Sequence, residues 1–243
     1  MTSTATRIGA GTTVRAQDLH RTYGHGSAAV RALRGVSVDL APGTFTAVMG
    51  PAGSGRTTLL HCLAGMDRPS RGSVRWGGTE LTRLPERRLA VLRRDRVGFV
   101  SRAFNLVPSM TVEENAGLYA GQDRVREVLA RVGLTGYERH RPGQLSGDRQ
   151  QRLAIARALA ARPDVLFADE PAGALGAAEG REFAALLRDG VDREGPICVL
   201  VTDDPVAAAY ADRVLLLAGG RLVDELHRPG AARIGERLGL LGG

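Results

Sequence analysis

A chain of 243 residues, 43% of them hydrophobic, can bury a full core and suits one domain with a subdomain. Its apolar runs are too short to cross a membrane, and residues 2–13 lack the apolar stretch of a secretion signal. A formal charge of +7 invites anionic partners, but all 33 basic residues are arginine, scattered and without interleaved aromatics; this reads as coding bias rather than nucleic-acid binding.

In chain order, residues 1–13 read as a flexible N-terminal tail. Residues 14–19, 36–40 and 45–49 carry strand patterns, and Ala41-Pro42-Gly43 reads as a hairpin turn between the last two. Tyr23, in R-T-Y-G after the first strand, is either an exposed ring for stacking on a base or a half-buried turn residue. Next comes the centre of the reading, residues 50–60, G-P-A-G-S-G-R-T-T-L-L. It follows an apolar run and precedes Leu59, Leu60, Leu63 and Ala64, whose spacing suits a helix packed on a sheet. Strand, glycine-rich turn and helix are the context of a phosphate-binding loop. Gly50, Gly53 and Gly55 let the backbone wrap an anion, while inward N–H groups and the helix dipole supply positive potential. Pro51, Ala52 and Ser54 fill out the loop, with Thr58 at its end. Thr57 offers a hydroxyl to Mg²⁺, and Arg56 stands where the motif carries lysine.

Beyond Gly65, residues 74–76 and 97–100 read as strands, with a helix of basic, solvated face at 86–94 between them. Phe104-Asn105-Leu106-Val107-Pro108 is a loop whose Phe104 and Leu106 are expected to be exposed. Thr111 caps a short helix with Glu113 and Glu114 in its first turn. Val125, Val128, Leu129 and Val132 line a second, and Ser146 caps a third, buried one running to about 161. The apolar run 165–168 ends in Asp169-Glu170, an aspartate placed to support Mg²⁺ and a glutamate placed to orient or deprotonate water. Residues 197–201 and 214–217 are further buried strands. The alternation implies an α/β fold with a mainly parallel, doubly wound sheet and the nucleotide at the strands' carboxyl ends. Cys62 and Cys198 read as buried free thiols in a reducing compartment, and the histidines show no metal-ligand spacing.

Three passages then align in order: V-G-F-V-S-R-A-F-N-L-V-P-S-M-T-V-E-E-N, Q-L-S-G-D-R-Q-Q-R-L-A-I-A-R-A-L and V-L-F-A-D-E-P-A-G-A-L-G. With the phosphate loop, the chain resembles the ATP-binding subunit of an ABC transporter over roughly 14–226. The likeness is closest to the bacterial branch of lipoprotein-release, macrolide and antimicrobial-peptide exporters. It implies a P-loop core at 14–228, a mainly parallel sheet flanked by helices plus an antiparallel β subdomain. A small helical subdomain at about 102–160 and a short C-terminal tail at 229–243 complete the expected layout. ATP and Mg²⁺ are the implied ligands. The implied partners are a membrane-spanning permease and a second ATP-binding subunit in a head-to-tail homo- or heterodimer, at the inner face of the cell membrane. By the resemblance, Tyr23 stacks the adenine, residues 50–58 hold the phosphates, and Thr57 and Asp169 hold Mg²⁺. Glu170 is the catalytic base, and Leu145, Ser146, Gly147, Asp148 and Arg149 form the signature that meets the partner's ATP. Phe104 and Leu106 lie in the region that receives a helix of the permease.

Five positions depart from the family's pattern. Arg56 replaces the loop lysine, Arg102 the glutamine that contacts metal and water, and Asp148 the signature's second glycine. Gly176 replaces an aspartate after the catalytic glutamate, and Asp203 replaces the histidine that donates to the γ-phosphate. A guanidinium keeps the lysine's charge but not its compact ammonium. Asp148 and Asp203 set carboxylates where phosphate is expected. The favoured reading is therefore a subunit that binds ATP and hydrolyses it weakly or not at all. An ordinary hydrolysing subunit, a non-catalytic docking or regulatory subunit, and a soluble translation or repair ATPase are the alternatives.

Overall fold

The computed structural model describes residues 12–169 and 177–241. The chain runs β1 (Val14–Tyr23), β2 (Val30–Leu40), β3 (Phe45–Met49), α1 (Arg56–Leu63), β4 (Arg71–Trp76) and β5 (Thr79–Glu80). There follow α2 (Glu86–Arg96), β6 (Val97–Ser101), α3 (Val112–Ala116), α4 (Gln122–Arg131), α5 (Gly147–Ala160) and β7 (Val165–Asp169). The last elements are α6 (Ala177–Glu194), β8 (Ile197–Val201), α7 (Pro205–Ala208), β9 (Arg213–Ala218), β10 (Arg221–His227) and α8 (Ala231–Gly239).

Two sheets result. An antiparallel one has the order β2-β1-β4-β5, and a six-stranded one has the order β10-β9-β3-β8-β7-β6. The latter is parallel throughout except for its antiparallel edge, β10 on β9. Every residue of β3 and of β8 is buried, as strands covered on both faces require. Alternation assigns the faces. Phe45, Ala47 and Met49 join a core closed by α3 to α8, while Val48, Phe167 and Val199 join one closed by α1 and the antiparallel sheet. Trp76 is fully buried in the second core, where its indole N–H donates to the Leu63 carbonyl at 3.0 Å.

Three local expectations are corrected. Ala41-Pro42-Gly43 does not close a hairpin, because β2 pairs with β1 whereas β3 pairs with β8 and β9 in the other sheet. Strands β1 and β2 extend to Tyr23 and back to Val30, over polar residues that pair through backbone bonds without apolar alternation. The expected C-terminal tail contains α8, which buries Ile234 and lays Leu238 and Leu241 against the core. The expected N-terminal tail lies outside the described residues except for Thr12 and Thr13, and Thr12 is buried.

Helices α3 and α4 both pack on α5. Thr111 forms the expected capping box with Glu114, accepting from its N–H at 3.2 Å. Charge ties this group to α6: Arg124 Nη2 reaches Glu194 Oε2 at 2.5 Å, and Arg131 pairs with the same carboxylate. Both guanidiniums are largely buried, so Glu194→Ala is expected to lower stability by about 3 kcal/mol in urea unfolding, with Glu194→Gln losing less. Both cysteines are buried and free, and burial pushes the Cys62 thiol up to about 12, so neither is a ready nucleophile. Among the described residues no helix is long and apolar enough to cross a membrane.

Candidate nucleotide site

Four parallel strands bring their carboxyl ends to one edge, and each leads into an expected site residue. β3 opens into the loop at 50–55, and β8 runs on to Thr202 and Asp203. β7 ends in Asp169, and β6 ends one residue before Arg102. The register sets Asp169 beside Ser101 on one side and Val201 on the other.

The loop's glycines are structurally required in two ways. Gly50 (φ 151°) and Gly55 (φ 101°) sit against backbone: a Cβ would lie 2.0 Å from the Leu217 carbonyl oxygen and 2.3 Å from that of Ala32. Gly53 (φ 74°) faces open space and needs only the positive φ. Two observations fit a bound anion. Helix α1 begins with no side-chain cap, leaving its first amides for an external acceptor, and the buried Ser54 hydroxyl has no hydrogen-bond partner. Thr57 Oγ1 donates to Asp169 Oδ1 at 3.0 Å, so the expected metal-supporting pair meets across 112 residues of sequence.

Arg56 behaves differently from a loop lysine. Its Nη1 donates to the Thr202 carbonyl at 3.0 Å, drawing the guanidinium toward the end of β8. Asp203 follows, exposed, and Arg102 is exposed beyond β6. Glu170 and Gly176 lie outside the described residues. His61, one of the histidines without metal-ligand spacing and read as structural or exposed, places its Nε2 3.9 Å from Asp169 Oδ2. Its i+4 spacing from Thr57 on α1 was the available signal.

Tyr23 is the last residue of β1 rather than a turn residue, and it is partly exposed. The signature residues pack within the helical group. Leu145 is buried in the helix-side core, and the Arg149 guanidinium lies 4.3 Å from the centre of the Tyr137 ring. Ser146 occupies the N-cap position of α5 without capping a backbone amide. Its hydroxyl instead holds the Asp148 carboxyl below the usual range, aided by the amides of Arg149 and Asp148 and opposed by partial burial. A depressed value contributes stability above the ordinary carboxylate pKa and loses it only as pH falls through the folded one, so Asp148 is anionic at neutral pH.

Phe104 and Leu106 are half-buried against the core, not exposed as expected. Phe104 and Asn105 adopt φ of 57° and 50°, and Arg157 fixes this tucked loop through both carbonyls at 2.8 and 2.6 Å.

A family model described as an ABC transporter matches residues 33–173, more than half of the chain. The chain belongs to the ABC transporter family. ATP is the nucleotide of the ABC ATPases. Among relatives, the macrolide export ATP-binding/permease protein MacB of Marinobacter nauticus is 42% identical over 87% of this chain and 34% of its own length. The MacB protein of Rhodopseudomonas palustris (strain HaA2) is likewise 42% identical, over 92% of this chain and 36% of its own length. This ABC chain therefore spans about a third of the length of the MacB relatives it matches. The bacitracin export ATP-binding protein BceA of Halalkalibacterium halodurans is 33% identical over 95% of this chain and 97% of its own. The dimeric structure of MJ0796, a bacterial ABC transporter cassette, superposes with a TM-score of 0.81 at 34% identity, covering 89% of this chain and 99% of that one. The same cassette, bound to ADP and phosphate after hydrolysis, gives the same score.

Proposed function

We propose that this chain is the ATP-binding part of an exporter, paired with a membrane permease and a second ATP-binding unit, and that it retains ATP while hydrolysing it poorly. One contrast carries the reading: the Thr57–Asp169 bond is intact, while the Arg56 guanidinium beside it is hydrogen-bonded to the Thr202 carbonyl. The groups that would hold a triphosphate are main-chain amides of residues 50–58, a loop whose glycines adopt the positive φ values such wrapping needs. Among the groups expected to act on the γ-phosphate, Glu170 is kept while Arg56, Arg102 and Asp203 are changed.

Mg²⁺, when bound, supplies charge neutralisation at the phosphates, and Thr57 and Asp169 are the residues that would hold it. Tyr23 would stack the base, residues 50–58 the phosphates, and Glu170 would serve as base toward water. The helical group at about 102–160 would present the signature to a partner's ATP. There, Asp148 offers an ionised carboxylate where an N–H is needed, and an exposed Asp203 stands in place of a histidine donor. In a head-to-tail homodimer both sites take damage from both chains, and an intact partner relieves neither site fully. Names among the relatives, macrolide export and bacitracin export, support export as the process, and pairing with a permease would set the chain at the inner membrane face. The ionised Asp148 at the head of α5 favours a second reading, a non-catalytic docking or regulatory subunit.

The purified chain is expected to retain a labelled ATP analogue at sub-millimolar concentration and to release phosphate from ATP scarcely above background. Turnover at the rate of an intact family member would overturn impaired hydrolysis. Failure to retain nucleotide at millimolar concentration would leave the docking role alone.

A further inference from the structure

Tyr23 is restrained from two directions. Its hydroxyl donates to Asp67 Oδ2 at 2.6 Å, and the Arg21 guanidinium lies 4.4 Å from the ring centre. Arg21 grips that same carboxylate with two N–H groups, Nε to Oδ2 at 2.9 Å and Nη2 to Oδ1 at 2.8 Å. The Arg68 amide donates to Oδ1 at 2.8 Å, so both carboxylate oxygens are engaged. Asp67 and Arg21 side chains are 20% and 24% exposed, whereas Tyr23 is 39% exposed. The pair is shielded and the ring is left open.

The position of Asp67 links this cluster to the phosphate loop. The amides of Met66 and Asp67 both donate to the His61 carbonyl, at 2.9 and 3.2 Å, which suspends Asp67 from the carboxyl end of α1. One helix thus carries the phosphate loop at its start and the anchor for Tyr23 at its finish. The strand pair closes the arrangement: Tyr23 pairs with Val30, two residues from the Ala32 carbonyl that abuts Gly55. The ring is thus tied at its hydroxyl and covered on one face by Arg21, while the residue as a whole stays exposed.

We propose that Asp67 and Arg21 are positioning residues for nucleotide binding, clamping Tyr23 as a pre-oriented platform for the base of a triphosphate held on residues 50–58. This rests on the nucleotide reading of that loop. The gain is pre-organisation: a ring already fixed loses no rotamer freedom when a base stacks on it.

The test compares ATP with inorganic tripolyphosphate, which lacks the base, by calorimetric titration of the full chain and its variants. Base–aromatic stacking corresponds to about 5- to 150-fold in affinity, and Tyr23→Ala is expected to weaken ATP binding within that range. Asp67→Ala and Arg21→Gln are each expected to weaken ATP by at least about threefold and leave tripolyphosphate unchanged, on the same scale. Tyr23→Phe, which cuts only the anchor, follows Asp67→Ala and carries the test should that variant fail to fold. Adding Asp67→Ala to Tyr23→Ala is expected to cost nothing more, a non-additivity that a general loss of stability does not produce. The clamp is overturned by unchanged ATP affinity in Tyr23→Phe and Asp67→Ala, by equal losses for ATP and tripolyphosphate, or by additivity in the double variant. Tripolyphosphate binding to the native chain separates this failure from a failure of the phosphate-loop reading, because without it both fall.

Discussion

Phosphate release from ATP is expected to rise by about 10²- to 10³-fold when Arg56→Lys, Asp148→Gly and Asp203→His are combined. Each replacement addresses a feature visible in the structure. A lysine ammonium lacks the planar fork that reaches the Thr202 carbonyl, and as a compact charge it can sit within the loop. Glycine at 148 removes a carboxylate held ionised by Ser146 and the first amides of α5, and so frees those donors. Histidine at 203, on the exposed turn after β8, restores a donor where a developing negative charge needs one. The three act around one reacting group, so single repairs are expected to fall well short of the combination. The readout is steady-state phosphate release, alone and with the membrane partner. A repaired chain that binds ATP yet stays at the native rate would show that these three positions are not what limits turnover.

The second large effect is on the fold itself. Gly50→Ala is expected to destabilise the protein by about 3–5 kcal/mol, since the methyl would lie 2.0 Å from a backbone carbonyl at a φ that only glycine accepts readily. Gly53→Ala is the control. It shares the positive φ but meets open space, so about 1–2 kcal/mol is expected. Urea midpoints of the two variants measure the difference. Equal losses would mean that the close approach of the loop to β9 plays no part.

Much of this site was legible because its determinants are local. Glycines at fixed spacing after an apolar run specify a turn whatever surrounds it, and an aspartate at the end of such a run, Asp169, falls at the sheet's carboxyl edge. What escaped depends on contacts distant in sequence. Arg56 meets Thr202 across 146 residues and Tyr23 meets Asp67 across 44, and neither partner carries a mark of its own. Phe104 and Leu106 were misplaced because two residues in the left-handed region turned the loop inward, held by an arginine 53 positions downstream of Phe104. Helix α8 could have been found: Ile234, Leu238 and Leu241 recur at helical spacing, but the glycines and arginines around them lowered the apolar content. The turn at 41–43 was mistaken for a hairpin because a turn sequence does not reveal which sheet the next strand enters.

The guanidinium-based ion pairs have a consequence under alkaline conditions. Burial lowers the Arg124 pKa, but hydrogen bonds to Glu194 and Glu127 more than offset this and leave it above the usual arginine value; Arg188, held by Asp192 and Asp212, behaves alike. A raised folded value gives stability that persists until pH climbs through it, beyond about 12 for a guanidinium. Ammonium-based pairs would discharge near pH 10.4. These guanidinium pairs therefore outlast the alkaline range in which ammonium pairs would already have let go.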